Sequence, residues 1–238
     1  MTSHREWVHL YKFGAVAALI AAIIFRRNIG AEVSLFTGLE GIPSTTAEWF
    51  SLLQVRPFIG MSFLAVFDIF NYFLEGLIFL ALAAMLWQVS KSRAAMALTC
   101  GLVGITISFS TNISLSMMSL SHQYAVATSE AQKSALLSAG QALLAINGPL
   151  TNFPGTGAYL AWFFIALAGL SFSSLLLASN RATAIVGLLA AGCDLAYCLT
   201  FPFSPLLQAV LMSFGGAFWM VWNLLLARIL FQQTRESV

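Results

Sequence analysis

Charge is what this sequence has least of. Only 8% of its 238 residues are charged, eleven basic and nine acidic, against roughly 25% in a soluble domain. The net charge of +2 rests on scattered lysines and arginines, so no nucleic-acid footprint is expected. Histidine is also scarce. His4, His9 and His122 sit at the edges of apolar runs, which leaves no paired helical ligands for haem or zinc. The three cysteines, Cys100, Cys193 and Cys198, lie inside apolar runs and read as packing residues, not as a disulfide framework or a metal site. No G-x-S-x-G elbow or phosphate-binding loop is present. The segment "AAGCDLAY" lacks the paired glycines expected around the aspartate of an intramembrane protease. No cofactor and no metal is therefore expected, and an enzyme without a recognisable signature is the least favoured class. Alternating ten-residue strands are missing too, which excludes a membrane barrel.

What the chain has is hydrophobic length. Hydrophobic residues make up 59% of it and the mean hydropathy is +0.86. Several runs approach the ~20 residues a helix needs to cross a ~30 Å bilayer core. In lipid the backbone must satisfy its own hydrogen bonds, so these runs are helices. The expected fold is an all-α integral membrane protein, a six-transmembrane-helix bundle forming a single membrane domain over 1–238. The spans are placed at about 7–25, 58–87, 94–120, 157–178, 183–203 and 206–231. The first ends in Arg26-Arg27 without a small-residue cleavage site, and reads as a retained helix.

Two connections are too long to be turns. Thr45-Thr46-Ala47-Glu48 has capping-box spacing and opens an amphipathic helix at about 46–56. Its Trp49, Phe50, Leu52 and Leu53 suit the headgroup layer. Ser129-Glu130-Ala131-Gln132 repeats the spacing and opens a second amphipathic helix at about 130–146, ending at Asn147-Gly148-Pro149. Its Glu130, Ser134 and Gln141 form a solvated stripe. Both helices are expected to be extramembrane.

Orientation follows from basic residues near the span ends. Six spans put seven on one side (Arg5, Lys12, Lys91, Arg93, Arg181, Arg228, Arg235) and four on the other (Arg26, Arg27, Arg56, Lys133), where Glu32, Glu40, Glu48 and Glu130 offset them. Both termini are thus placed in the cytoplasm and the protein in the cell (plasma or inner) membrane.

Function has to be sought in the buried polar groups. "FDIFNYFLEG" sets Asp68, Asn71, Tyr72 and Glu75 within about 100° of one helix face. Asp68 falls near mid-depth of the second span, with Glu75 nearer the cytoplasm. Asp194 shares a face with Gly187, Ala191 and Cys198, small residues that invite a neighbouring helix. Asp68 and Asp194 are each followed by a tyrosine (Tyr72, Tyr197), a placement that inverted repeats would give, although the surrounding residues match poorly. The third span offers polar stripes through Ser108, Asn112, Ser116 and Ser119 and through Thr99, Thr106, Ser110 and Ser114. In the sixth, Asn223 aligns with Gly216 and Trp219. An ionised carboxylate in a bilayer costs several kcal/mol, and no intramembrane lysine or arginine is available to neutralise three of them. The candidate ligand- or ion-binding residues are Asp68, Asn71, Tyr72, Glu75, Asn112, Asp194 and Asn223.

Three stretches, "SLSHQYAVATSEAQKSALLSAGQALLA", "ATAIVGLLAAGCDLAYC" and "GGAFWMVWNLLLARIL", with "FRRNIGAEVSLF" near the start, resemble a group of bacterial multi-pass membrane proteins known only as a domain of unknown function. The resemblance is carried mainly by residues 119–145 and 182–230. It implies a six-helix fold in a bacterial inner membrane and brings no activity or site. The residues favour a carrier or sensor of a small molecule, cation or proton. A structural or assembly subunit, whose polar groups only lock helices together, is the alternative. The expected partners are the bilayer, a small-molecule or cation ligand, and a membrane protein or second copy of the chain.

Overall fold

The computed structural model describes residues 7–26, 43–147, 155–200 and 203–236. The stretch "RNIGAEVSLF", the helix stop at 148–149, and Arg5, Arg27, Glu32 and Glu40 from the charge comparison lie outside these residues. Those described form ten helices and no strand: α1 (Val8–Arg26), α2 (Thr46–Val55), α3 (Pro57–Phe63), α4 (Val66–Leu86), α5 (Lys91–Thr111), α6 (Ser114–Val126), α7 (Glu130–Asn147), α8 (Thr156–Leu176), α9 (Arg181–Thr200) and α10 (Pro205–Glu236). Five segments are long and apolar enough to cross a membrane: α4, α5 with α6, α8, α9 and α10. The chain is therefore a multi-pass integral membrane protein. The apolar part of α1, Val8–Ile23, is shorter.

Two expected spans are broken. Between α3 and α4 the chain turns at Leu64 and Ala65, and Ala65 takes a φ of 62°, a left-handed conformation that costs an L-residue roughly 1–2 kcal/mol. Between α5 and α6 it turns at Asn112 and Ile113. The expected spans 58–87 and 94–120 are thus each two helices. One residue holds both breaks. Asn112 Nδ2 donates to the Ala65 carbonyl at 2.9 Å, while its Oδ1 accepts from the Ser114 amide at 3.1 Å and from Ser114 Oγ at 2.5 Å. Backbone groups released by the breaks are thereby satisfied, as an apolar surrounding demands.

The chain divides into two compact units. Unit 1 contains α1, most of α4 and α5, α8, α9 and α10. Its core holds Phe79, Phe172, Leu176, Trp219, Trp222 and Leu226, and α10 packs along both α1 and α9. Small residues set the spacing. A Cβ on Gly14 would strike that of Ala81. One on Gly104 would come within 2.8 Å of the Ala161 carbonyl and 2.9 Å of Ile165 Cγ1. Such close approach is how membrane helices gain packing energy without a hydrophobic drive.

Unit 2 contains α2, α3, α6 and α7. The Thr45 capping box forms as expected, with Glu48 N donating to Thr45 Oγ1 and Thr45 N to Glu48 Oε2, both at 3.2 Å. At α7, Ser129 Oγ accepts from the Gln132 amide. The headgroup expectation for α2 is corrected. Trp49, Phe50, Leu52 and Leu53 are buried in a core with Phe63, Met117 and Leu144, because α6 and α7 cover that face. Gln54 Nε2 donates to the Ser121 carbonyl and Ser121 Oγ to that of Phe50, both at 3.0 Å. Glu130, Ser134 and Gln141 are exposed, as their stripe implied.

Candidate ligand site

Glu75 and Asn71 lie one turn apart on the inner face of α4 and are 3% and 7% exposed. Neither Glu75 Oε2 nor Asn71 Oδ1 has a hydrogen-bond partner among the described residues. Leaving such an acceptor unmade costs ~1–3 kcal/mol, more for a charged group. Asp194, half-buried on α9, is near enough to bear electrostatically on Glu75. It points into the seam with α10, as its small-residue face predicted. Trp219 Nε1 donates to Asp194 Oδ2 at 2.6 Å, and a Cβ on Gly215 would come within 3.0 Å of Asp194 Oδ1.

Aromatic side chains adjoin the two acids. Trp162 on α8 donates through Nε1 to the Tyr72 hydroxyl at 3.1 Å. Its ring meets Tyr197 edge to face at a centroid distance of 5.3 Å. Tyr72 is three residues before Glu75, and Tyr197 three after Asp194, so each tyrosine shares its acid's helix face. Trp219 in turn packs edge to face on Trp222 at 5.0 Å. The described parts of unit 1 thus collect two acids, one amide and five aromatic side chains from four helices.

The other candidates lie elsewhere. Asp68 is exposed in the first turn of α4 and belongs to unit 2. The break at Leu64–Ala65 moves it from the middle of an expected span to the start of a real one, where the positive end of the helix dipole favours a carboxylate. Asn112 is the stitch between the two breaks, with both ends of its amide used. Thr99 and Thr106 are exposed and donate to carbonyls of their own helix, while Ser116 and Ser119 are exposed. Thr99 and Thr106 of the polar stripes are thus used within their own helix. The inverted-repeat placement does not hold, since Asp68 opens its helix and Asp194 lies well inside α9.

Asn223 is fully buried, with Oδ1 and Nδ2 both unpartnered. The same holds for Ser173 Oγ and Trp222 Nε1, which a Cβ on Gly187 would strike. Ser173, Trp162 and Trp222 were not legible as polar sites. An indole or a lone serine in an apolar run looks like an anchor or filler until its N–H or O–H is seen to be buried. Further along α4 from the acids, a cavity of about 490 Å³ is lined by Trp7, Tyr11, Met85, Trp87 and Gln88 among others, with no acid in its wall. Among the described residues no group of three or more histidine, cysteine, aspartate or glutamate side chains could hold a metal ion. No family model, no characterised protein and no solved structure matches this chain, so its reading rests on the geometry of these buried groups.

Proposed function

We propose that the protein is a carrier or sensor of a small molecule, cation or proton, working through the polar interior of unit 1. One observation carries this reading: Glu75 and Asn71 present unpartnered acceptors in an apolar interior beside a second acid. Serine or asparagine alone would lock helices together at lower desolvation cost. The structural alternative is favoured in unit 2, where the Asn112 amide is satisfied by the breaks it joins.

The proposal includes six spans, both termini in the cytoplasm, and the connections containing α2 and α7 on the outer side of a cell membrane. At 19 residues, α1 is ~28 Å long, close to the bilayer core, and its Tyr11 and Ala15 pack with Ala81 and Leu230. That end of unit 1 also carries Lys12, Lys91, Arg93 and Arg228, and Arg93 donates to Ser174. Basic residues gathered at one end support placing it inside.

The test is thermal stabilisation of the purified protein across a panel of metabolites and cations. Binding to the native state at 100 times Kd raises stability by ~2.7 kcal/mol. At least one ligand should raise the melting temperature saturably, and Glu75→Gln should abolish that response while leaving the protein folded. A response that survives Glu75→Gln and Asp194→Asn unchanged would remove the acids from the function.

A further inference from the structure

Resting on the cation reading of this same site, the geometry points to a protonated organic amine as the ligand: an ammonium group bearing N–H donors on an apolar body. Three features of unit 1 select it. The first is the pair of unpartnered acceptors, Glu75 Oε2 and Asn71 Oδ1, both more than nine-tenths buried. Acceptors require donors, which an ammonium supplies and a quaternary nitrogen lacks. The second is a pair of acids without a basic partner. Neither acid has an ion-pair partner among the described residues. A ligand that brings positive charge therefore gains a charge-assisted hydrogen bond at Glu75.

The third feature is aromatic. Tyr72, Trp162 and Tyr197 pack as a set, Tyr72 about one helical turn from Glu75 and Tyr197 about one from Asp194, and Trp219 is bonded to Asp194. Ring faces attract organic cations and bury their hydrocarbon. They offer little to a hard metal ion, which seeks six or more oxygen ligands for calcium and near-octahedral oxygen for magnesium. The described residues provide no acidic cluster of that kind. Asp194, already held by the Trp219 indole, fixes the seam between α9 and α10, while Glu75 and Asn71 keep their free acceptors for the incoming N–H groups.

The test titrates the full-length protein in nanodiscs with five probes at matched ionic strength: butylammonium, tetramethylammonium, n-butanol, sodium and calcium. Melting temperature and intrinsic tryptophan fluorescence are followed, the latter summed over six tryptophans, Trp162 and Trp219 among them. Butylammonium should act saturably at concentrations at least tenfold below tetramethylammonium, with n-butanol, sodium and calcium giving no saturable change. Glu75→Gln should weaken butylammonium at least tenfold. Should that variant fail to fold, the fluorescence titration of the unmutated protein still decides the matter. Equal responses to butylammonium and n-butanol would mean apolar binding and overturn the proposal. Saturable sodium or calcium binding without a butylammonium response would overturn the amine and leave the cation reading standing. Silence from all five probes would count against both.

Discussion

Asn112 shows how much one side chain can carry in a membrane helix. A break exposes amides and carbonyls that lipid cannot satisfy, and this residue serves the Ala65 carbonyl with its donor and Ser114 with its acceptor. Asn112→Ala takes the acceptor from the Ser114 amide and leaves the Ala65 carbonyl only the Asp68 amide, and each buried orphan costs ~1–3 kcal/mol. The variant should melt earlier by an amount corresponding to at least one such loss, with the butylammonium response of unit 1 retained. An unchanged melting curve in detergent would mean the breaks are held by other contacts. Nothing local announces these breaks. Neither contains glycine or proline, and a non-glycine residue with positive φ, as at Ala65, is set by tertiary packing. Asn71, Glu75 and Asp194 were legible for the opposite reason: a carboxylate or amide in an apolar run is visible at once, and its face follows from helical period. Asp68 shares α4 with Asn71 and Glu75, but its mid-span depth was counted from Phe58 through the break at Leu64–Ala65.

Helix starts, by contrast, are written locally. The capping box at Thr45 and the Ser129 cap place the first turns of α2 and α7 within a residue of where their sequences predict them. At α2, the Ser44 amide donates to Glu48 Oε2 at 2.6 Å, the Ser44 hydroxyl at 2.9 Å and the Thr45 amide at 3.2 Å. These bonds, led by the Ser44 amide, hold the Glu48 carboxyl below its usual value of 4.5. A folded-state pKa below the unfolded one gives stability that is complete above about pH 4.5 and is lost as pH falls through the folded value. Hydrogen exchange at the first turn of α2 should therefore accelerate as pH is lowered below that point, once corrected for the intrinsic rate. Glu48→Gln should flatten the dependence. Thr45→Ala removes the reciprocal half of the cap, at a cost of about 0.5–2 kcal/mol. What α2 buries was less legible, because an amphipathic helix reads the same whether lipid or protein covers its face.

For the whole molecule, membrane packing depends on backbones that come close. Gly104→Val inserts atoms where even a Cβ would sit 2.8 Å from a carbonyl oxygen, and overpacking of this kind costs ~1–3 kcal/mol. Gly192→Ala meets nothing within 4 Å and should be neutral. Comparing the two in one detergent separates packing from loss of glycine flexibility, and equal destabilisation would argue against close packing at Gly104. The number of crossings has its own check. Single cysteines introduced at positions 3 and 237 should react with an impermeant reagent only after the membrane is opened. Labelling of one but not the other in intact cells would mean an odd number of crossings.

The length of α10 has a mechanical consequence. Its 32 residues run without interruption from Pro205 to Glu236, about 48 Å of rigid rod, well over the thickness of the hydrocarbon it crosses. Trp219, gripping Asp194, sits part-way along, with about 24 Å of helix between it and Arg235. Beyond it, Leu226, Ala227 and Leu230 are buried in the cores of unit 1, so this stretch is clamped and a tilt at the Asp194 contact would carry α10 as one piece, Gln232, Gln233 and Arg235 with it.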